Sequence, residues 1–150
     1  MRGGQFHNHV LVDGVLSPVG SGAVVRREVP VDKARRPRAV DAVVQWPAFR
    51  LAVEGENRPY PVLRDVAKAR DLKANALLIV TPHSRIARRV RARLRQAKVQ
   101  VPGMAIIVLS QGAARQWVAN QSQLMSRPNV LRTSDKNTQG NVQKKERQSP

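Results

Sequence analysis

A chain of 150 residues with 41 % hydrophobic content has the size and apolar fraction of one domain around one core. It has no cysteine, which excludes disulfide scaffolds, cysteine-ligated zinc and thiol catalysis, and 3 % aromatics leave the core to Val, Leu, Ile and Ala. With 27 Lys and Arg against 10 Asp and Glu, the formal charge is +17, which favours polyanionic partners and nucleic acid first among them.

The stretch "FHNHVLVDGVL" (6–16) reads as a short helix with Phe6, Val10, Leu11 and Val15 inward, stopped by "SPVGSG". "AVVRREVPV" (23–31) is β-branched and reads as a strand. "AVDAVVQW" (39–46) is a second strand, "WPAF" a four-residue turn and "RLAVEGE" (50–56) a third strand. "PVLRDVAKARDL" (61–72) has helical spacing, with Pro61 in the first turn where its missing N–H costs nothing. "NALLIVT" (75–81) is wholly apolar, as in a strand buried on both faces. "SRIARRVRARLRQAK" (84–98) is a helix with Ile86, Val90, Leu94 and Ala97 on one stripe and Ser84 as N-cap. "MAIIVLS" (104–110) reads as another buried strand and "QGAARQWVANQSQLM" (111–125) as a last helix.

The order is therefore (α)βββαβαβα, an α/β domain over 1–125 with a mixed sheet and packed helices. Residues 126–150 are polar and basic and read as a disordered tail, an electrostatic arm or an inert end. No apolar run approaches the roughly 18–20 residues that span a bilayer. The opening "MRGGQFHNHV" lacks a signal pattern, so a cytoplasmic location is expected.

In so basic a chain the acids stand out. A hairpin closed by "WPAF" pairs Gln45 with Arg50, Val43 with Ala52 and Asp41 with Glu54. Cross-strand partners share a face about 5 Å apart, so Asp41 and Glu54 become neighbours, with Glu56 on the same face. The other face carries Val40, Ala42, Val44, Leu51 and Val53. Like charges placed together destabilise a sheet and raise at least one pKa, so a counter-cation is expected. Hard carboxylate oxygens suit Mg²⁺ or Mn²⁺. The plainer reading is that Asp41 and Glu54 pair with neighbouring Arg or Lys.

These residues carry a family resemblance. The segment "EVPVDKARRPRAVDAVVQWPAFRLAVEGENRPYPVLRDVAKARDLKANALLIVTP" resembles the PD-(D/E)XK nuclease superfamily, with the restriction-endonuclease-like αβββαβ core, over roughly residues 20–110. The resemblance places the acid of the second core strand at Asp41 and the (D/E)-X-K on Glu54-Gly55-Glu56. Two positions depart from the pattern. Val40 stands where the motif has proline, and Glu56 stands where it has lysine. Some branches are similar in having a second acid there and a lysine from the next helix, which Lys68 in "RDVAKAR" would supply. Glu28 reads either as an auxiliary acid or as an ordinary exposed strand residue.

The resemblance implies metal-dependent hydrolysis of phosphodiester bonds in DNA. Asp41 and Glu54 would hold Mg²⁺ or Mn²⁺, Glu56 would assist, and Lys68 would orient the attacking water. It also makes a homodimer an open expectation, since duplex cleavage needs two sites. Two other functions stay open: a catalytically silent DNA-binding protein of the same fold, and a basic RNA-binding or ribosome-associated protein.

The helix 84–98 carries Arg85, Arg88, Arg89, Arg91, Arg93, Arg95 and Lys98 with no acid. Phosphate contacts would relieve its self-repulsion, so Arg85, Arg88, Arg89, Arg91 and Arg95 are candidate nucleic-acid ligands. A solvated face with Arg stems over the core is the alternative. "HNH" at 7–9 is three adjacent residues rather than a spaced motif, so His7 and His9 are not read as metal ligands. Trp46 and Trp117 are read as packing residues.

Overall fold

In the computed structural model, described over residues 3–31 and 38–127, five strands and four helices form a mixed α/β sandwich. The elements are α1 (Gly3–Leu16), β1 (Val24–Pro30), β2 (Ala39–Trp46), β3 (Phe49–Gly55), α2 (Val62–Asp71), β4 (Ala76–Thr81), α3 (Ser84–Gln96), β5 (Ala105–Ser110) and α4 (Gln111–Ser126). The strands lie in the order β1-β2-β3-β4-β5. β1–β2 and β2–β3 are antiparallel, while β3–β4 and β4–β5 are parallel. Chain connectivity explains the switch. Short connections make antiparallel neighbours, whereas α2 and α3 are crossovers long enough to return the chain parallel.

Period-two alternation sorts the core into two layers. On one face Ala42, Val44, Leu51 and Val53 meet Leu11, Val12 and Val15 of α1 and Ala114 and Val118 of α4. On the other, Val43, Ala52, Leu77 and Ile79 meet Val62, Val66 and Ala69 of α2 and Ala87 and Val90 of α3. β4 lies inside the sheet with helices on both faces, and every residue from Ala76 to Thr81 is buried, as its unbroken apolar run predicts.

The expected register is observed: Gln45 pairs with Arg50 and Val43 with Ala52. The turn is tighter than expected. Trp46 and Phe49 already pair, ring edge to face at 6.1 Å, leaving Pro47 and Ala48 as the two turn residues.

Several expectations need correction. Val10 is 52 % exposed and Val12 takes the inward place, because α1 packs through Leu11, Val12, Val15 and Leu16. The side chains of Phe6 and His7 lie outside the described ones. Ser84 is the first helical residue of α3, and the extended residue before it, His83, is the N-cap. β5 is an edge strand and only half-buried, since nothing in the sheet lies beyond it. The tail from residue 128 lies outside the described residues. Among the described residues no helix is long and apolar enough to cross a membrane.

Arg50 locks α2 over β3. Its side chain donates to the Leu72 carbonyl at the end of α2 (2.6 Å) and to Gln45 Oε1 (2.8 Å). Its backbone N–H meets Asn75 Oδ1 at 2.7 Å. Arg50→Ala leaves the Leu72 carbonyl without its charged donor. The expected loss is about 1–3 kcal/mol in urea unfolding. A change below a few tenths would show that α2 is held by its apolar face alone.

Candidate functional site

The ladder between β2 and β3 ends at the Ala42–Val53 pair. Beyond it the next residues, Asp41 and Glu54, do not continue the backbone pairing. Instead the Asp41 carboxylate accepts the Gly55 N–H at 2.8 Å. The two strands part here, and Val40 packs with the α2–α3 layer rather than the α1 layer that alternation assigns it. On its other side β3 stays anchored, with the Glu56 N–H donating to the Val80 carbonyl at 2.8 Å.

Three carboxyl groups are buried around this fork. Glu54 is 2 % exposed, Glu56 6 % and Asp65 of α2 2 %. Lys68, one helical turn after Asp65, reaches into the same place. Its Nζ lies 2.5 Å from Glu54 Oε1, 3.0 Å from Asp65 Oδ1 and 3.1 Å from the Ala39 carbonyl oxygen, to which it donates. The contact with Glu54 is an ion pair rather than a well-aligned hydrogen bond. Lys68 therefore bridges β2, β3 and α2, and the lysine read from the neighbouring helix converges on the acids of the strands.

The electrostatics are those of an acid excess in a dry place. Burial, then the nearby Asp65 and Asp41, push the Glu54 carboxyl up to about 9 against the pull of Lys68. Burial and contact with Asp65 push Glu56 up to about 9 as well. Burial raises Asp65, with Glu56 and Lys68 opposing. Burial alone would lower the Lys68 ammonium, but Glu54 and Asp65 outweigh it and hold it above its ordinary value. Asp65 Oδ2 is buried with no donor, and Glu56 lies against Asp65, so a hydrogen bond between them needs a proton on one of the two. Among the described residues Glu54 and Asp65 contact one ammonium, that of Lys68, with Glu56 against Asp65, an acid excess that protons or another cation would relieve.

Asp65 was absent from the sequence-based site. A signal for it existed, since it falls within the apolar stripe of Val62, Val66 and Ala69, where an acid is out of place. Glu28 does not join the cluster. Its φ of +46° breaks the alternation of β1, and its carboxylate lies 3.1 Å from His9 Nε2 of α1, a helix of the opposite layer. The auxiliary-acid reading of Glu28 is therefore not supported by its position. His9 is occupied by that contact.

The basic helix divides. Arg85, Arg88, Arg89 and Arg95 are exposed. Arg91 is part-buried and donates to the Val108 carbonyl of β5 at 2.5 Å, so it serves the edge of the sheet. α3 begins where β4 ends, and β4 runs parallel to β3. Arg85, Arg88 and Arg89 therefore lie toward the same end of the sheet as Glu54, and Arg95 toward the other. Ligands in open parallel sheets gather at this carboxyl end of the strands.

The donor set is one a hard divalent cation could share: buried carboxylate oxygens in excess over Lys68, two of them, Glu54 Oε1 and Asp65 Oδ2, without a hydrogen bond. The arrangement is not a closed cage. Among the described residues no group of three or more His, Cys, Asp or Glu side chains is set to hold a metal ion. A Mg²⁺ ion held by one or two carboxylates, with waters and substrate phosphate completing its shell, needs no such cage.

In comparisons with protein-family models, curated proteins and solved structures, nothing matches this chain.

Proposed function

We propose that the protein is a metal-dependent nuclease of the restriction-endonuclease-like type, hydrolysing phosphodiester bonds in DNA. The observation that carries this reading is Lys68. It lies 2.5 Å from Glu54 and comes from the helix after the third strand, while the motif's own lysine position holds Glu56. The element order through β4 is the αβββαβ that the resemblance implies.

On this reading Asp41 and Glu54 hold Mg²⁺ or Mn²⁺, with Glu56 and Asp65 next to them. The ion, when bound, polarises the scissile phosphate and lowers the pKa of an attacking water. Lys68 keeps its proton, held up by Glu54 and Asp65, and its positive charge offsets the charge that develops on the phosphate oxygens. Gly55 fixes the Asp41 carboxylate through its N–H. Arg85, Arg88 and Arg89 supply sequence-independent phosphate contacts along the approach.

The test is cleavage of plasmid and linear DNA with Mg²⁺ or Mn²⁺, against EDTA and against Asp41→Ala and Glu54→Ala. Wild type is expected to cut only with metal. Each variant should lose at least ~100-fold, the scale of removing one electrostatic stabiliser. Cleavage at equal rates by wild type and both variants would reject the assignment. A second reading rests on Glu56, an acid standing where the motif has lysine. In it the fold binds DNA without cutting, and the assay returns DNA binding with no metal-dependent product.

A further inference from the structure

The loop from β3 to α2 carries "NRPYP", residues 57–61, and begins directly after Glu56. Tyr60 in this loop is 78 % exposed. Aromatics are scarce in this chain, and the other described ones are covered: Trp46 is buried, and Phe49 and Trp117 are half-buried. Tyr60 is also without a hydrogen-bond or ring partner among the described residues.

The backbone around it is held. Pro59 and Pro61 flank it, fixing their own φ and restricting the residue before each. One end of the loop is tied by the Glu56 N–H on Val80, and the other by the Arg64 and Asp65 N–H groups on the Pro61 carbonyl at 2.9 and 3.2 Å. A four-residue reach spans at most about 14 Å. At about 3.4 Å per nucleotide in a stacked strand, Tyr60 stands within roughly four nucleotides of Glu56. Arg58 and Arg64, both exposed, bracket it in sequence.

We infer that Tyr60 is a stacking platform for an unpaired base, with Arg58 and Arg64 on the flanking phosphates, so that the preferred substrate is single-stranded DNA or a duplex with an unpaired end. This rests on the nuclease reading for the role of the neighbouring acids. The physical reason is that a ring face can be stacked on only by a base that has left its own stack. A duplex presents phosphates and groove edges, for which Arg58 and Arg64 would suffice without a ring. The two prolines reduce the ordering that binding would otherwise require.

The test uses the full chain in EDTA, so that nothing is cut, at moderate salt to suppress purely electrostatic binding. Affinity is measured by anisotropy for labelled single-stranded DNA, blunt duplex and single-stranded RNA of one sequence. Tyr60→Ala is expected to weaken single-stranded DNA binding roughly tenfold, within the range for loss of one base–aromatic stack, and to leave the blunt duplex unchanged. Tyr60→Phe, which keeps the ring, should bind like wild type. An equal loss on both DNA forms, or no loss on either, overturns the inference. Stronger wild-type binding to RNA than to DNA overturns the choice of DNA. If wild type fails to cut any DNA with metal but shows the Tyr60-dependent preference, the nuclease reading fails and this inference stands. If metal-dependent cutting is indifferent to Tyr60 on every substrate, the nuclease reading stands and this inference fails.

Discussion

Lys68→Met is expected to destabilise the protein by about 3–5 kcal/mol at pH 8 without metal, the scale of breaking a buried ion pair by removing one partner. Lys68 is 14 % exposed and sits among Glu54, Asp65 and the Ala39 carbonyl. Methionine keeps most of the apolar stem, so lost packing contributes little. What remains is buried carboxylates without their ammonium. The sign with pH follows from the shifts. The folded-state pKa of Lys68 is raised, so its contribution is fully present below its ordinary value and is lost only as pH rises through the higher folded value. Glu54 and Glu56, at about 9, already hold protons at pH 8, so the penalty should grow only as pH rises past 9 and they ionise. Urea unfolding at pH 7 and pH 10 checks this. Equal losses at both values would show that Lys68 contributes through packing and not through the acids.

The second large effect is a pH dependence of opposite character to ordinary acid denaturation. Glu54 and Glu56 rise from 4.5 to about 9 on folding, so the folded state binds more protons than the unfolded state between those values. Stability from this pair is complete below about pH 4.5 and declines as pH rises toward 9. Glu54→Gln removes one of the two ionisations. It should therefore be more stable than wild type at pH 8, by about 1–4 kcal/mol, and close to wild type at pH 5. Mg²⁺ should raise the melting temperature of wild type at pH 8 and much less at pH 5, because only the ionised carboxylates of the folded state bind it. A Glu54→Gln variant less stable than wild type at pH 8 would mean that Glu54 is well paired by Lys68 and that the site has no need of another cation. Stabilisation by loss of a site acid, alongside loss of activity, is the usual mark of a functional cluster.

Much of the architecture was readable because it rests on local patterns. The apolar run at residues 76–81 reads as a doubly covered strand, and the stripe of Ile86, Val90 and Leu94 reads as a helix with one buried side, although Ala87 is buried on it and Ala97 is exposed. The hairpin register was readable because a one-residue slip would turn Val44, Leu51 and Val53 out of the core. Errors came where local signals compete. Ser84 is a good capping residue, yet His83 takes the cap because the chain leaves β4 extended through it. The apolar sequence of β5 resembles that of β4, and neither reveals which one lies at the sheet edge.

The candidate site divides in the same way. Sequence by itself determined that Asp41, Glu54 and Glu56 come to one end of a hairpin, since alternation and turn length leave no other placement for that register. A lysine on the helix after β3 was pointed to by the family resemblance and not by any spacing in the sequence. Tertiary structure alone decided the rest. The parting of β2 from β3 turns Asp41 onto the Gly55 N–H instead of into a regular pair. The left-handed backbone at Glu28 sends that acid to His9. The rotation of α2 about its axis sets Asp65 beside Glu56 and aims Lys68 at Glu54. Each of these depends on how separate elements meet, which no spacing within one element records.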